Sequence, residues 1–197
     1  MSKPYSEACE RNKEPILGIL RDWLLQPGIV LEIGSGTGQH AVHFASNLPH
    51  LTWTSTDRDE NLDGIQQWFT EAALPNLRGP LQLDVRQEVW PVREALYAFS
   101  ANTAHIMSWS EVEAMFAGVS VALEQGGCFC LYGPFNRNGE FTSDSNRAFD
   151  ESLRSRSPEM GIRDVQALKT LAERCELTFA ADYSLPARNR MLVWKKG

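Results

Sequence analysis

Gly34-Ser35-Gly36-Thr37-Gly38 places three glycines where a chain can turn tightly and bring its backbone close to a ligand. The run before it, Ile29-Val30-Leu31-Glu32-Ile33, is short and apolar, and the run after it, Gln39 to Ala45, has helical character. The segment therefore reads as strand, glycine turn, helix, with the first amides of the helix attracting negative charge. About 20 residues further on, Asp57 closes a second strand-like run, Leu51 to Thr56, where a carboxylate can accept both hydroxyls of a ribose. Asp84 lies in a third run, Leu81 to Val85, Asn102 follows a fourth, Ala95 to Ala101, and Tyr132 ends a fifth, Cys128 to Tyr132. A nucleotide-like cofactor lying over the glycine turn is the chemistry these strand tips suggest.

The elements that must position these residues alternate. Ile16, Ile19, Leu20, Trp23 and Leu24 give an opening helix, with Pro15 suited to its first turn and Pro27-Gly28 as its stop. Leu62, Ile65 and Phe69 mark a helix after the second strand, and Ser110 with Glu113 forms a capping box ahead of Val112, Met115, Phe116, Val119 and Leu123. Gly126-Gly127 ends that helix. Residues from about 134 to 161 are polar and irregular, with a short helix around Asn146 to Leu153, and read as a lid-like insertion. Val165, Leu168 and Leu171 restore helical period, and Leu177 to Tyr183 and Met191 to Trp194 form a closing hairpin around Pro186 and Asn189. The expected fold is α/β, doubly wound and Rossmann-like: one domain over residues 1–197, with a mostly parallel seven-stranded sheet and a C-terminal antiparallel hairpin.

Composition narrows the setting. The 197 residues are 43% hydrophobic and 22% charged, and no apolar run approaches the roughly 20 residues that span a bilayer. The opening Met1-Ser2-Lys3-Pro4-Tyr5-Ser6-Glu7 lacks the apolar core of a secretory signal, so a cytoplasmic location and reduced thiols are expected. Cys128 and Cys130 fall on one face of a strand and read as buried thiols. A net charge of -6 disfavours non-specific nucleic-acid binding, which needs a positive surface. His40 and His43 stand at i, i+3 with no third ligand at a recognisable spacing, so no metal is expected.

A dinucleotide fingerprint needs G-x-G-x-x-G, but its third position falls here on Gln39. Leu31-Glu32-Ile33-Gly34-Ser35-Gly36-Thr37-Gly38 instead resembles the first motif, E/D-x-G-x-G-x-G, of class I S-adenosylmethionine-dependent methyltransferases. That resemblance implies S-adenosylmethionine as cofactor, its methionine part lined by Glu32, Gly34, Gly36 and Gly38, its ribose held by Asp57 and its adenine amino group by Asp84. Ser35, Arg58 and Val85, beside these positions, join the expected cofactor contacts with Asn102, while Arg11 and Asn12, ahead of the opening helix, reach toward the cofactor carboxylate. Several stretches are similar to the DUF938 (UPF0585, methyltransferase-like 26) group: Glu10-Arg11-Asn12-Lys13, Asn102-Thr103-Ala104-His105-Ile106, Tyr132-Gly133-Pro134-Phe135, Ser145-Asn146 with Phe149-Asp150, and Gly161-Ile162-Arg163-Asp164. The similarity covers nearly the whole chain. The final turn departs from it: the group usually has Pro-Ala-Asn-Asn where this chain has Pro186-Ala187-Arg188-Asn189.

Methyl transfer is an in-line displacement, so alignment in a dry pocket matters most and a general base is optional. His105 is the best-placed base for a hydroxyl or protonated amine. Asn102 and Tyr132 offer hydrogen bonds or an aromatic wall to the acceptor, and Asn146 and Asn189 join them if the insertion and last turn fold over the pocket. A small-molecule acceptor is expected, because the lid is short and the chain acidic. The competing readings are a non-catalytic cofactor-binding or interaction protein and a nucleotide-dependent oxidoreductase, the last disfavoured by Gln39.

Overall fold

A computed structural model describes residues 3–197; Met1 and Ser2, which open the stretch read as lacking a secretory signal, lie outside the described residues. Seven strands form one sheet in the order β3-β2-β1-β4-β5-β8-β7. They are β1 (Gly28–Ile33), β2 (Leu51–Asp57), β3 (Leu77–Gln82), β4 (Ala95–Ala101), β5 (Leu123–Asn136), β7 (Leu177–Ser184) and β8 (Asn189–Lys196), while the two-residue β6 (Arg163–Asp164) pairs with the end of β5. The five strands from β3 to β5 run parallel, and β8 is antiparallel to both β5 and β7. Strand order reverses between β1 and β4, the crevice at which open α/β sheets bind ligands. The expected Rossmann-like sheet with a closing hairpin is present.

Helices α1 (Glu7–Trp23), α2 (Gln39–Asn47), α3 (Asp59–Ala72), α4 (Trp109–Ala122), α5 (Asp144–Arg156) and α6 (Val165–Arg174) connect and cover the strands. Side chains alternate across each strand, which splits the core in two. Leu31, Ala98, Phe129, Leu131 and Trp194 pack on one face with Phe116 of α4, and Val30, Phe99, Cys130 and Val193 pack on the other with Phe44 of α2 and Leu20 of α1. Cys128 and Cys130 are both buried on that second face as free thiols. His40 stacks on Phe44 in the same layer, at 5.2 Å between centroids, and burial lowers its pKa to about 4.

Several boundaries differ from those expected. Helix α1 begins two turns before Pro15, which is interior, because Ser6 caps it by accepting from Cys9 N and Glu7 and Glu10 favour its first turn. Arg11 and Asn12 thus lie in the helix, not ahead of it. Strand β3 starts at Leu77 rather than Leu81: it is an edge strand, where Pro80 removes no needed donor, and it ends where its partner β2 ends. Leu83, Asp84 and Val85 therefore follow the strand instead of forming it. The capping box of α4 is Ser108 with Glu111, two residues before the expected pair. Gly126-Gly127 lies inside β5, which is long because it pairs with β4, β6 and β8. No described helix is long and apolar enough to cross a membrane.

Beneath the glycine turn sits Glu32, 2% exposed, whose Oε2 accepts from Ser35 Oγ, from Ser55 Oγ at 2.6 Å and from Trp53 Nε1 at 3.1 Å. Burial raises its pKa, and the three donors oppose that rise. Glu32→Ala should cost on the order of 3 kcal/mol of unfolding free energy in urea titration, since three buried donors lose one acceptor, and Glu32→Gln should cost less than half as much. Equal losses would mean that packing, not hydrogen bonding, holds the turn. His40 and His105 both have pKa values lowered to about 4, against an unfolded value near 6.5. Their uncharged burial contributes stability that is complete above about pH 6.5 and lost as pH falls toward 4, because the unfolded chain binds the extra protons. Unfolding free energy should therefore fall between pH 7 and 4.5, and the slope should flatten in a His40→Gln, His105→Gln double variant.

Candidate functional site

One cavity of about 1340 Å³ opens at the carboxyl ends of the parallel strands. Its floor is the glycine turn. Gly34 N and Ser35 N donate to Thr56 O at 3.0 and 3.1 Å, which straps the turn to the end of β2. Gly34 has φ +72°, and a Cβ there would sit 2.5 Å from Thr103 Cγ2, so both backbone and space require glycine. Gly36, at φ +63°, meets nothing within 4 Å, so its need is conformational and its open face is the cavity's.

Asp57 stands against this floor. Its Oδ2 accepts from Gly36 N at 2.6 Å, and its Oδ1 accepts from Arg58 N at 2.7 Å and Asn61 Nδ2 at 2.8 Å. A carboxylate has about four lone-pair sites, so three donors fix the group while leaving it able to accept one more hydrogen bond from the cavity. Arg58 lines the same end and donates to Glu111 Oε1 at 2.6 Å, across the tips of β2 and α4.

Asp84 does not line the cavity. Arg86 grips it through Nε at 3.0 Å and Nη2 at 2.7 Å, which holds the carboxyl far below the usual range, and its neighbours Leu83 and Val85 face the cavity instead. Because β3 stops at Gln82, Asp84 sits in the loop past the strand and turns outward. Glu32 and Gly38 also lie behind the lining, Glu32 as the buried prop of the turn and Gly38 as the left-handed N-cap of α2, with φ 87°. Of the other sequence candidates, Arg11, Asn12, Ser35, Val85, Asn102, His105, Tyr132, Asn146 and Asn189 all line the one cavity.

The loop after β4 carries Asn102 and His105. Asn102 takes φ 59°, a conformation asparagine tolerates, and its N donates to Tyr132 O at 2.9 Å. His105 is 7% exposed and meets Phe149 of α5 edge-on, with centroids 5.2 Å apart. Burial chiefly, with the positive charges of Arg163 and Arg156, lowers its pKa to about 4. It is a neutral ring at physiological pH. The segment after α5 holds this loop: Gly161 N donates to His105 O at 2.9 Å, and Arg163 donates to Ala104 O and Glu159 O, each at 2.9 Å, and to Met107 O. Asp150, buried outside the cavity, accepts from Ile162 N at 2.6 Å and from Arg154.

The far wall combines α1, β5 and the β7–β8 turn. Asn189 Nδ2 donates to the Tyr132 hydroxyl at 2.8 Å, and Asn12 Oδ1 lies 2.6 Å from His40 Nε2, which must be the donor there. Asn146 is 6% exposed and donates to Thr142 Oγ1 at 2.8 Å. Composition and spacing did not flag Asn61, one helical turn beyond Asp57, nor the anchoring role of Arg163, nor the apolar linings Ile106 and Met160. The i, i+4 spacing of Asp57 and Asn61 at a helix start was the available signal for the first.

Solved structures to which the chain is similar include longer proteins, of which it spans little more than half. An O-methyltransferase family protein from Burkholderia thailandensis is 12% identical with a TM-score of 0.84, over 97% of this chain and 58% of that one. Human N-acetylserotonin methyltransferase, in complex with SAM, is 16% identical with a TM-score of 0.81, over 97% and 53%. An O-methyltransferase family 2 protein from Planctomyces limnophilus, in complex with apigenin, is 13% identical with a TM-score of 0.77, over 98% and 62%. These likenesses establish the fold. The sequence itself is matched over residues 3–196 by the family described as "Protein of unknown function (DUF938)", and the chain belongs to that family.

Proposed function

We propose that this protein is an S-adenosylmethionine-dependent methyltransferase acting on a small-molecule acceptor. The carrying observation is that the cavity joins a nucleotide-type floor, Gly34 to Thr37 with Asp57, to a polar and aromatic far wall around His105, Tyr132, Asn146 and Asn189. At about 1340 Å³ it exceeds the roughly 300–1,000 Å³ of common single-ligand pockets, which leaves room for a cofactor and a second molecule together. Similarity in fold to methyltransferases, one of them in complex with SAM and one in complex with apigenin, supports the same reading.

The residues fit the cofactor. Gly36 leaves open a cradle beside which Asp57 keeps a site for a ribose hydroxyl, and Ile33, Leu83 and Val85 supply apolar walls for an adenine. When bound, S-adenosylmethionine supplies an electrophilic methyl group on a sulfonium. The chain supplies alignment: residues 134 to 161, carrying α5, act as a lid over the acceptor side and press Phe149 against His105. A histidine with a pKa of about 4 holds a proton poorly at neutral pH, so His105 orients the acceptor by a hydrogen bond at a ring nitrogen instead of carrying its proton away. A cytoplasmic setting and an acceptor free in solution complete the proposal.

Calorimetry with S-adenosylhomocysteine and NADH should show binding of the first alone, followed by cofactor turnover over fractionated metabolite pools; NADH binding would sink the reading. Binding without turnover in any pool would leave a cofactor-binding protein. Asp57→Ala should weaken S-adenosylhomocysteine by about 1–3 kcal/mol, because it removes a charged acceptor and releases Gly36 N. Unchanged affinity in that variant would place the ribose elsewhere.

A further inference from the structure

Resting on the methyltransferase reading, we propose that the acceptor carries an anionic group, a carboxylate or a phosphate, which Tyr132 and Arg188 receive on the far wall of the cavity. Two independent observations carry this. The first is the hydrogen bonding of Tyr132, whose side chain lies in the buried layer on β5. Its hydroxyl oxygen receives Asn189 Nδ2 at 2.8 Å, and among the described residues no group accepts its proton. The hydroxyl proton is therefore free to be donated into the cavity that Tyr132 lines. Burial also raises the phenol's pKa, so the proton stays on.

The second observation is Arg188, next to Asn189 in the chain. Ala187 and Arg188 take φ 58° and 61°, closing the β7–β8 hairpin with Leu185 N on Asn189 O at 2.9 Å. Two successive left-handed residues are the requirement of a tight hairpin turn, where Asn, Asp and Gly are favoured and a long branched cation is not. Arg188 lines the cavity, and among the described residues no carboxylate pairs with it, whereas its neighbours Arg137 and Arg190 share Asp182, each at 2.5 Å. A guanidinium with no carboxylate partner and a hydroxyl proton with no acceptor among the described residues, both in the lining of one cavity, complement an oxyanion. The acids of the lining stand on other segments: Asp57, Glu60 and Glu111 at the cofactor end, and Glu159 after α5. Ile106 and Phe149, 46% and 37% exposed within the lining, offer apolar surface for the body of the same molecule.

The test uses the full chain saturated with S-adenosylhomocysteine, so that the cofactor's own carboxylate is already in place. Benzoate, phenyl phosphate and the neutral benzamide are then titrated by calorimetry as probes. At least one anion should bind about tenfold or more tightly than benzamide, and which of the two is preferred separates carboxylate from phosphate. Arg188→Asn keeps a residue suited to the left-handed turn and should abolish the preference for anions, while Tyr132→Phe should weaken the preferred anion by about tenfold. Benzamide binding as well as the anions, or an anion preference that survives Arg188→Asn, overturns the proposal. So does a loss of S-adenosylhomocysteine affinity in Arg188→Asn without loss of anion selectivity, which would give the arginine to the cofactor. Failure of S-adenosylhomocysteine to bind the unaltered protein fails the methyltransferase reading instead, and is seen before any probe is added.

Discussion

A carboxylate shut away from water holds the arrangement together. Glu32 stands near the end of β1, where it would be costly to bury without partners, and its three donors come from the turn and from Ser55 and Trp53 of β2. The side chain thereby fastens the turn to the neighbouring strand from below, while Gly34 N and Ser35 N fasten it to Thr56 O from above. With the turn pinned on both sides, Gly36 N has one direction left, and it points at Asp57. The cavity floor is rigid because the residue beneath it cannot move without exposing unpaired donors.

Much of this was legible in the chain. The glycine run, Asp57 and the strand-helix alternation announce the sheet and the switch point, because period and turn chemistry act locally. Asn102, His105, Tyr132, Asn146 and Asn189 stand on one cavity, in or after β4 and β5 and at the start of α5 and β8. Asp84 shows where such reading stops: an acid near the end of a third strand looks equivalent to Asp57, but the strand is an edge strand that ends early, and a basic residue two positions on takes the carboxylate. Edge position is a property of the assembled sheet, not of the segment. Pro15 misleads for a related reason, since the turns before it are polar and helical only by virtue of a cap and favourable charge.

Glu32 plays a similar part. The resemblance of the motif assigns it to the ligand, whereas its side chain lies one layer below the cavity lining. Type and position can identify which residues belong to a site without saying which touch its contents, since that depends on which way each side chain leaves its strand.

The joint made by Arg163 has a consequence of its own. Its guanidinium is spent on the main-chain oxygens of Ala104, Met107 and Glu159, with no acid among them, so it ties the loop bearing His105 to the segment returning from α5 through uncharged partners. Such a fastening has no counter-charge for dissolved ions to compete for, and it takes no proton at any physiological acidity. The histidine loop and the segment after α5 should thus stay joined under brine or dilute buffer alike.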